Sequence, residues 1–533
     1  MEAELTTGRI IGAAVAGAVL GVGLAPAAMA QEKVVTIART LDADKYDPHI
    51  STARSAAEVL FMTGDTLVVL DYDMKTIRPN LAKSWTVSDD GLTYTFKLRD
   101  DVKFCSGKKF TAADVKGSLD RWQNMPKGTT KWRAGEYDST TVVDDYTLEY
   151  KIKKPYSELL YQMTQHNHTV INPEEAEKLG EDLGVKALDG TGPYCFSEWQ
   201  PRNQLTLTKN PYYNWAPSFY DNKKPMVDKV VWKIVPEDST RVAALETGQS
   251  DALQYVPWWA VPQFQSNPRF NVSKADAYFW TYYIGMKISR DLMSDLRVRE
   301  AINLAVDQAA IAEAVWFGLA EPANAYISPG VLDYADGQDL SKFGYDPKKA
   351  EALLDEAGWK KGSDGFRSKD GVKLAPLAYG NSSPVAADVL QSVQGDLRKV
   401  GIEMQIQQWD ATVVWGKLKT QDYDMYTMSY PYVSAGDALN LYFRSANMPA
   451  PNRMNWDDKE TDQWLSAASA ALTDKERAEN FAKVQKKVHG AAVWIPIVHE
   501  PLFLISGPKL KPIKAHGNYG AGFYKGLGIE LKG

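Results

Sequence analysis

The chain is poor in cysteine and histidine and has no excess of positive charge, and each shortage removes a class of function. It holds two Cys and six His in 533 residues. Cys105 and Cys195 lie outside any CxxC pattern, and two cysteines cannot build a structural zinc site. The formal net charge is −6, so no basic surface is available to nucleic acid or anionic lipid. Catalytic signatures are missing as well: there is no GxSxG elbow, no HExxH and no P-loop. Gly520-Ala521-Gly522 starts like a dinucleotide fingerprint, but Lys525 stands where a third Gly belongs and no helix follows, so it reads as a C-terminal turn. His166-Asn167-His168 offers two side chains on one side of a strand. With so few His, a pair satisfied in the core is the expectation, and no metal site is assigned. A secreted hydrolase remains the rival class only because paired carboxylates are a spatial arrangement.

Long apolar runs are also scarce. The one that exists, Ile10 to Ala30, carries no charge and is mostly Ala, Gly, Val, Ile and Leu. It ends in Ala28-Met29-Ala30, the small-x-small pattern of signal peptidase, and polarity returns at Gln31-Glu32-Lys33. That reads as a secretory signal over residues 1–30 with Gln31 as the mature N-terminus, and a retained membrane anchor is the other outcome. No Cys follows the cleavage site, which argues against a lipoprotein. In an exported chain an even pair of cysteines invites a disulfide, here Cys105 to Cys195, with two free buried thiols as the other outcome.

What is present is the composition of a large globular protein, 44% hydrophobic and 24% charged. The length implies several folding units. Sixteen Trp and 27 Tyr are enough to fill cores and to line a ligand cleft. Strand and helix signals alternate irregularly, as in an α/β chain. Leu92, Tyr94, Phe96 and Leu98 alternate after the turn Ser88-Asp89-Asp90-Gly91, a hairpin with one buried face. Tyr146, Leu148, Tyr150 and Ile152 form a second alternating strand, and Val230, Trp232 and Ile234 a third. Thr111 with Asp114 opens a helix as a capping box. Asp238-Ser239 can cap a helix that stops at Gly248. Val298, Ile302, Ala305, Ile311 and Val315 recur at helical spacing. Asp346-Pro347 and Ser383-Pro384 start helices that end at Gly358 and Gly401, and the strand Ile402, Met404, Ile406 follows the second. Thr473 with Glu476 opens the last long helix. No low-complexity linker separates the units, so the chain must cross between lobes more than once.

Several blocks, in order along the mature chain, carry a resemblance. They are Tyr46-Asp47-Pro48-His49; Leu81 to Trp85; Asp89-Asp90-Gly91-Leu92-Thr93-Tyr94 onward to Arg99; Phe110 to Val115; Gly190-Thr191-Gly192-Pro193-Tyr194; Asn210-Pro211-Tyr212-Tyr213; Arg297 to Ile302; Tyr345-Asp346-Pro347; and Asp422-Tyr423-Asp424-Met425. In this the chain resembles the extracellular solute-binding proteins of family 5, which include the dipeptide-, oligopeptide-, glutathione- and nickel-binding proteins of ABC importers. The resemblance implies an α/β fold of the periplasmic-binding-protein class II (cluster C) type, with two main lobes, a hinge and an extra small lobe. Lobe I would comprise 31–70, 189–285 and 498–533, lobe II the insertion 71–188, and lobe III 286–497. It implies a monomer in the periplasm of a Gram-negative envelope, with inner-membrane permease subunits as partners, no cofactor and no catalysis. The solute would be peptide-like, with a sugar, opine or nickel chelate as the alternatives within the family.

Site residues are carried over position by position. Trp409 occupies the place of a cleft-lining aromatic after a strand, and Tyr430 matches a second aromatic after the Tyr-Asp-Met strand. Where the peptide binders place an Asp for the ligand ammonium, this chain has Val433, an apolar wall, and the nearest acid is Asp437. The loop after Asp-Pro-His nominates Thr52 and Arg54. Trp280 completes the expected set, with Tyr255 and Trp258 as weaker candidates. Arg54 would pair with a carboxylate through two parallel donors. Trp409 and Tyr430 would form stacking walls, and Asp437 would meet a cationic or hydroxyl group.

Overall fold

The structure, a computed structural model, describes residues 32–126, 130–336 and 343–532. The secretory leader expected over residues 1–30, and Gln31 itself, lie outside the described residues.

Three sheets organise the chain. The first has seven strands, in the order Asn271–Lys274, Phe503–Ser506, Ala252–Leu253, Val34–Arg39, Lys229–Ile234, Gln204–Lys209 and Tyr194–Gln200. Val34–Arg39 runs parallel to both Lys229–Ile234 and Ala252–Leu253. Parallel neighbours need a crossover, and the one that leaves Val34–Arg39 contains the whole second sheet. That sheet is antiparallel: Ala82–Val87, Thr93–Leu98, Thr147–Ile152 and Tyr137–Asp144. Its first hairpin closes at Ser88 to Gly91, where the Gly91 amide donates to the Ser88 carbonyl at 2.8 Å and Gly91 takes φ +69°. The disulfide Cys105–Cys195, with Cα atoms 5.7 Å apart, ties the second sheet's flank to the strand Tyr194–Gln200.

The third sheet has six strands, ordered Glu321–Pro322, Trp494–His499, Trp280–Met286, Met425–Pro431, Leu377–Asn381 and Gln405–Trp409. It is buried on both faces. Tyr282, Ile284 and Met286 enter one core with Ile302 and Val393. Tyr283, on the opposite face, stacks on Trp494 at 3.7 Å in an aromatic core. The chain passes between the first and third sheets at residues 275–279 and again at 500–502. The Ala275 amide donates to the Leu502 carbonyl at 2.9 Å, and the Glu500 amide to the Trp280 carbonyl at 2.9 Å. Two crossing segments hydrogen-bonded to each other are the form a hinge takes.

Most helix starts follow their local chemistry. Thr111 and Asp114 make a reciprocal capping box for Ala112–Asn124. Asp346, Ser383 and Thr473 accept from backbone amides at the starts of Pro347–Glu356, Pro384–Lys399 and Asp474–Gly490. Four readings are corrected. The helix Asp238–Glu246 is capped by Glu237, whose longer carboxylate folds back onto the Ser239 and Thr240 amides. The helical spacing from Val298 to Val315 is two helices, Leu296–Ala305 and Gln308–Trp316, broken where the Asp307 side chain caps the second. After Gly401 the strand begins only at Gln405; Ile402 and Met404 are buried core residues outside the ladder. His166–His168 is a buried 3₁₀ turn, not a strand, because each ring reaches a backbone carbonyl: Ser51 at 3.0 Å and Arg133 at 3.2 Å.

Candidate functional site

The carboxyl ends of parallel strands are where open α/β sheets place ligands, since the crossovers diverge there. On the first sheet those ends lead into Thr40, Asp238 and the segment Tyr255 to Trp259. On the third, Leu377–Asn381 is parallel to Gln405–Trp409 and to Met425–Pro431, and its end leads into Pro384 and Val385. A cavity of about 420 Å³ lies between the two sets. Arg54, Tyr255, Trp258 and Tyr278 line it from one side and Val385 and Asp388 from the other, with Glu500 of a crossing segment between them. Its size and aromatic lining suit a small solute.

Arg54 is the first residue of the helix Arg54–Thr63. Its Nε and Nη2 donate to the Gly520 carbonyl at 3.3 and 3.0 Å. The guanidinium lies over the Tyr255 ring at 4.5 Å, with Trp280 at 5.9 Å and Tyr278 at 6.0 Å. Tyr255 holds a left-handed φ of 56°, an uncommon backbone state for an aromatic residue. Glu58 Oε1 is 3.7 Å from Arg54 Nε, but Glu58 is also claimed by Arg39 at 3.2 Å, both fully buried. One carboxylate is thus shared by two guanidinium groups. The other nearby acid, Glu500, is pushed up to about 7 by burial, against the pull of the Trp316 indole and Arg54. Trp316 Nε1 donates to it at 2.9 Å. Arg54 Nη1 has no hydrogen-bond partner among the described residues, so the cavity presents an uncommitted cationic edge backed by aromatic rings.

A second cluster surrounds Asp437, in the helix Ala435–Phe443. The carboxylate accepts from the Val433 amide at 3.3 Å, and Arg133 Nη1 lies 3.9 Å from its other oxygen. Arg133 comes from the turn Lys131–Ala134 and also donates to Tyr430 Oη at 3.2 Å and to Gln162. The cation beside Asp437 is therefore the protein's own. Burial pushes the Asp437 carboxyl up, and Arg133 pulls it down. Val433 is 2% exposed, an apolar position. Next to it, Glu158 hydrogen-bonds Ser434 Oγ, and burial pushes its carboxyl up to about 8.

The remaining candidates separate. Thr52 is exposed, and its carbonyl accepts from Tyr519 Oη at 3.0 Å. Tyr519 packs its ring 5.0 Å from His166, and its phenol feels the charges of both Arg133 and Asp437. Trp280 keeps a buried Nε1 without a partner. Trp409 packs edge-on against Tyr379 at 4.6 Å under Lys417, at the outer strand of the third sheet. The structure thus gathers Arg54, Tyr255 and Trp258 about one cavity, and places Tyr430 and Asp437 with Arg133. Thr52, Trp280, Trp409, Tyr430 and Asp437 are not on the cavity's lining; Trp280 lies 5.9 Å from the Arg54 guanidinium. Sequence reasoning missed Arg133, Tyr278, Glu500 and Tyr519. Glu500 alone left a trace, as an acid two residues after the apolar run Val493 to Val498. Among the described residues no three His, Cys, Asp or Glu side chains converge as a metal requires, and no helix is long and apolar enough to cross a membrane.

Two sheets joined by paired crossing segments, with a cavity at their parallel-strand ends, define a binding protein of the two-lobed kind. The chain belongs to the bacterial extracellular solute-binding proteins, family 5, whose middle region matches residues 76–449. It is 30% identical over 490 residues to the glutathione-binding protein GsiB of Salmonella paratyphi A, covering 90% of each chain. The fold matches NikA from Brucella suis, solved with Fe(III)-EDTA, at a TM-score of 0.84 and 24% identity, covering 94% of this chain and 100% of that one. It also matches the periplasmic binding protein DppA from Helicobacter pylori, solved with the peptide STSA, at 0.78 and 24%, covering 94% and 98%.

Proposed function

We propose that the chain is the exported binding component of an ABC importer, and that it captures a peptide-like solute bearing a carboxylate. The three sheets would be the cores of three lobes: lobe I from 31–70, 189–285 and 498–533, lobe II from 71–188, and lobe III from 286–497. Lobes I and III close over the solute about the segments 275–279 and 500–502. The observation that carries this reading is Arg54, which lines the aromatic cavity between the two strand-end sets and whose Nη1 has no hydrogen-bond partner among the described residues. A carboxylate offers two acceptors to that guanidinium. The glutathione-binding relatives support a peptide-like solute.

The test is a thermal-shift panel on refolded, ligand-free protein, with dipeptides, glutathione, opines, oligosaccharides and nickel chelates. A solute at 100 times its Kd adds about 2.7 kcal/mol, a rise of about a few degrees at this size. Shifts confined to oligosaccharides, or cleavage of model ester, amide or glycoside substrates without any shift, overturn the reading. Export is tested by N-terminal sequencing of periplasmic protein, which should begin at Gln31.

A further inference from the structure

A second large cavity, about 580 Å³, shares no lining residue with the cleft cavity. It lies where the second sheet's flank meets the helices Ala435–Phe443 and Lys459–Ala470. Trp132 and Tyr156 supply aromatic walls, and Lys154 and Arg444 supply cations. Trp132 is 39% exposed, and Tyr156 Oη has no hydrogen-bond partner among the described residues. Arg133 stacks on the Trp132 ring at 4.4 Å and carries its own guanidinium to Tyr430 and Asp437. One residue thus separates the cavity from the Asp437 cluster.

Arg444 distinguishes this cavity. Its Nε donates to Asn440 Oδ1 at 3.0 Å, Nη1 to Ser466 Oγ at 3.2 Å and Nη2 to Ser469 Oγ at 3.3 Å. All three partners are neutral, and no carboxylate of the described residues comes within 4.0 Å. Three buried guanidinium groups keep an acid: Arg39 has Glu58, Arg477 has Asp333 and Arg367 has Asp355. Arg453, half-buried like Arg444 and without an ion pair among the described residues, lies over the Trp415 ring at 5.2 Å. Arg299, which has no acid either, is closed off by three backbone carbonyls. Arg444 has hydroxyl and amide neighbours instead; burial draws its pKa down, and the more distant charges of Asp462 and Glu158 only partly offset that. A position just past the end of a helix favours a cation, but that explains neither the aromatic walls nor the volume beside it. Lys154 is already paired with Glu136, also on the lining, at 2.9 Å, so Arg444 is the lining cation without an ion pair.

We propose that this cavity is a second solute site, which takes an organic acid with a flat apolar body. The carboxylate meets Arg444, where a planar fork matches two oxygens. The body lies against Trp132 and Tyr156, whose rings offer rigid contact area.

Calorimetry with N-acetyl-L-phenylalanine and its amide, on the full mature chain and on variants, decides this. The acid binds, and the amide binds at least about tenfold more weakly, the scale of a lost charge-assisted pair. In the Arg54→Ala background, which removes the cleft's own hold on a carboxylate, the preference remains; there Arg444→Ala abolishes it and Trp132→Ala weakens the acid several-fold. Trp132 is partly exposed, so its variant keeps the test readable if Arg444→Ala fails to fold. Equal binding of acid and amide overturns the proposal. So does a preference that survives Arg444→Ala or disappears with Arg54→Ala, an acid affinity untouched by Trp132→Ala, or no binding at all.

Discussion

Arg54 and Gly520 stand 466 residues apart, yet the guanidinium of one grips the carbonyl of the other through both Nε and Nη2. The first turn of the helix Arg54–Thr63 and the loop at Gly520 are thus held together behind the cleft. Gln254 Nε2 donates to the same carbonyl at 2.9 Å, which fixes the loop from a third direction. Arg54 is oriented before any solute arrives, and that lowers the ordering cost of binding.

Arg54→Ala should therefore weaken a carboxylate-bearing solute by about 1.5–3 kcal/mol, the scale of hydrogen bonds to charged groups. Because the side chain also holds Gly520, some fold stability is lost as well. Arg54→Lys keeps the charge but not the fork, and should recover only part of the affinity. Calorimetry with the solute found by the panel measures both; unchanged affinity in Arg54→Ala would remove the residue from the site.

Gly520→Ala tests the same contact from the other side. Gly520 has φ +70°, and a Cβ there would lie 2.4 Å from Arg54 Nε. The backbone strain costs about 1–3 kcal/mol, and the displaced guanidinium should cost affinity in addition. A variant that loses stability but binds with wild-type affinity would show that the carbonyl does not position Arg54.

The pair Cys105–Cys195 closes a long stretch, with a sequence separation of 90. Under denaturing, non-reducing conditions the protein should show no titratable thiol. Cys195→Ser should lower stability by about 2–5 kcal/mol. Two reactive thiols per chain would refute the bridge.

Glu158 should make stability fall as pH rises. Its carboxyl titrates near 8 in the folded chain, against an ordinary value of 4.5, with burial as the main cause. The folded state therefore binds the proton more tightly than the unfolded state. That contribution is fully present below about pH 4.5 and is lost as pH climbs through about 8. Denaturant titrations across that window should show a decline that Glu158→Gln flattens. Glu500 titrates nearby, so the difference between wild type and Glu158→Gln isolates the effect of Glu158. Parallel curves for the two proteins would mean that Glu158 is ionised throughout.

Features settled within a few residues could be read along the chain. Thr111 with Asp114, Ser383 with Pro384, and the alternation of Tyr94, Phe96 and Leu98 each encode a structure through local hydrogen bonds or a two-residue period. The ordered blocks led to the family, and the loop after Asp-Pro-His led to Arg54. Even locally, Glu237 took the cap assigned to Asp238-Ser239, because a longer side chain reached the same amides. What surrounds each charge was settled by folding alone. Arg133 beside Asp437 and the neutral partners that Ser466 and Ser469 give Arg444 have no signature along the chain. The energy of a charge depends on its burial and on which opposite charges lie within a few ångströms. Folding sets both by bringing together residues hundreds of positions apart.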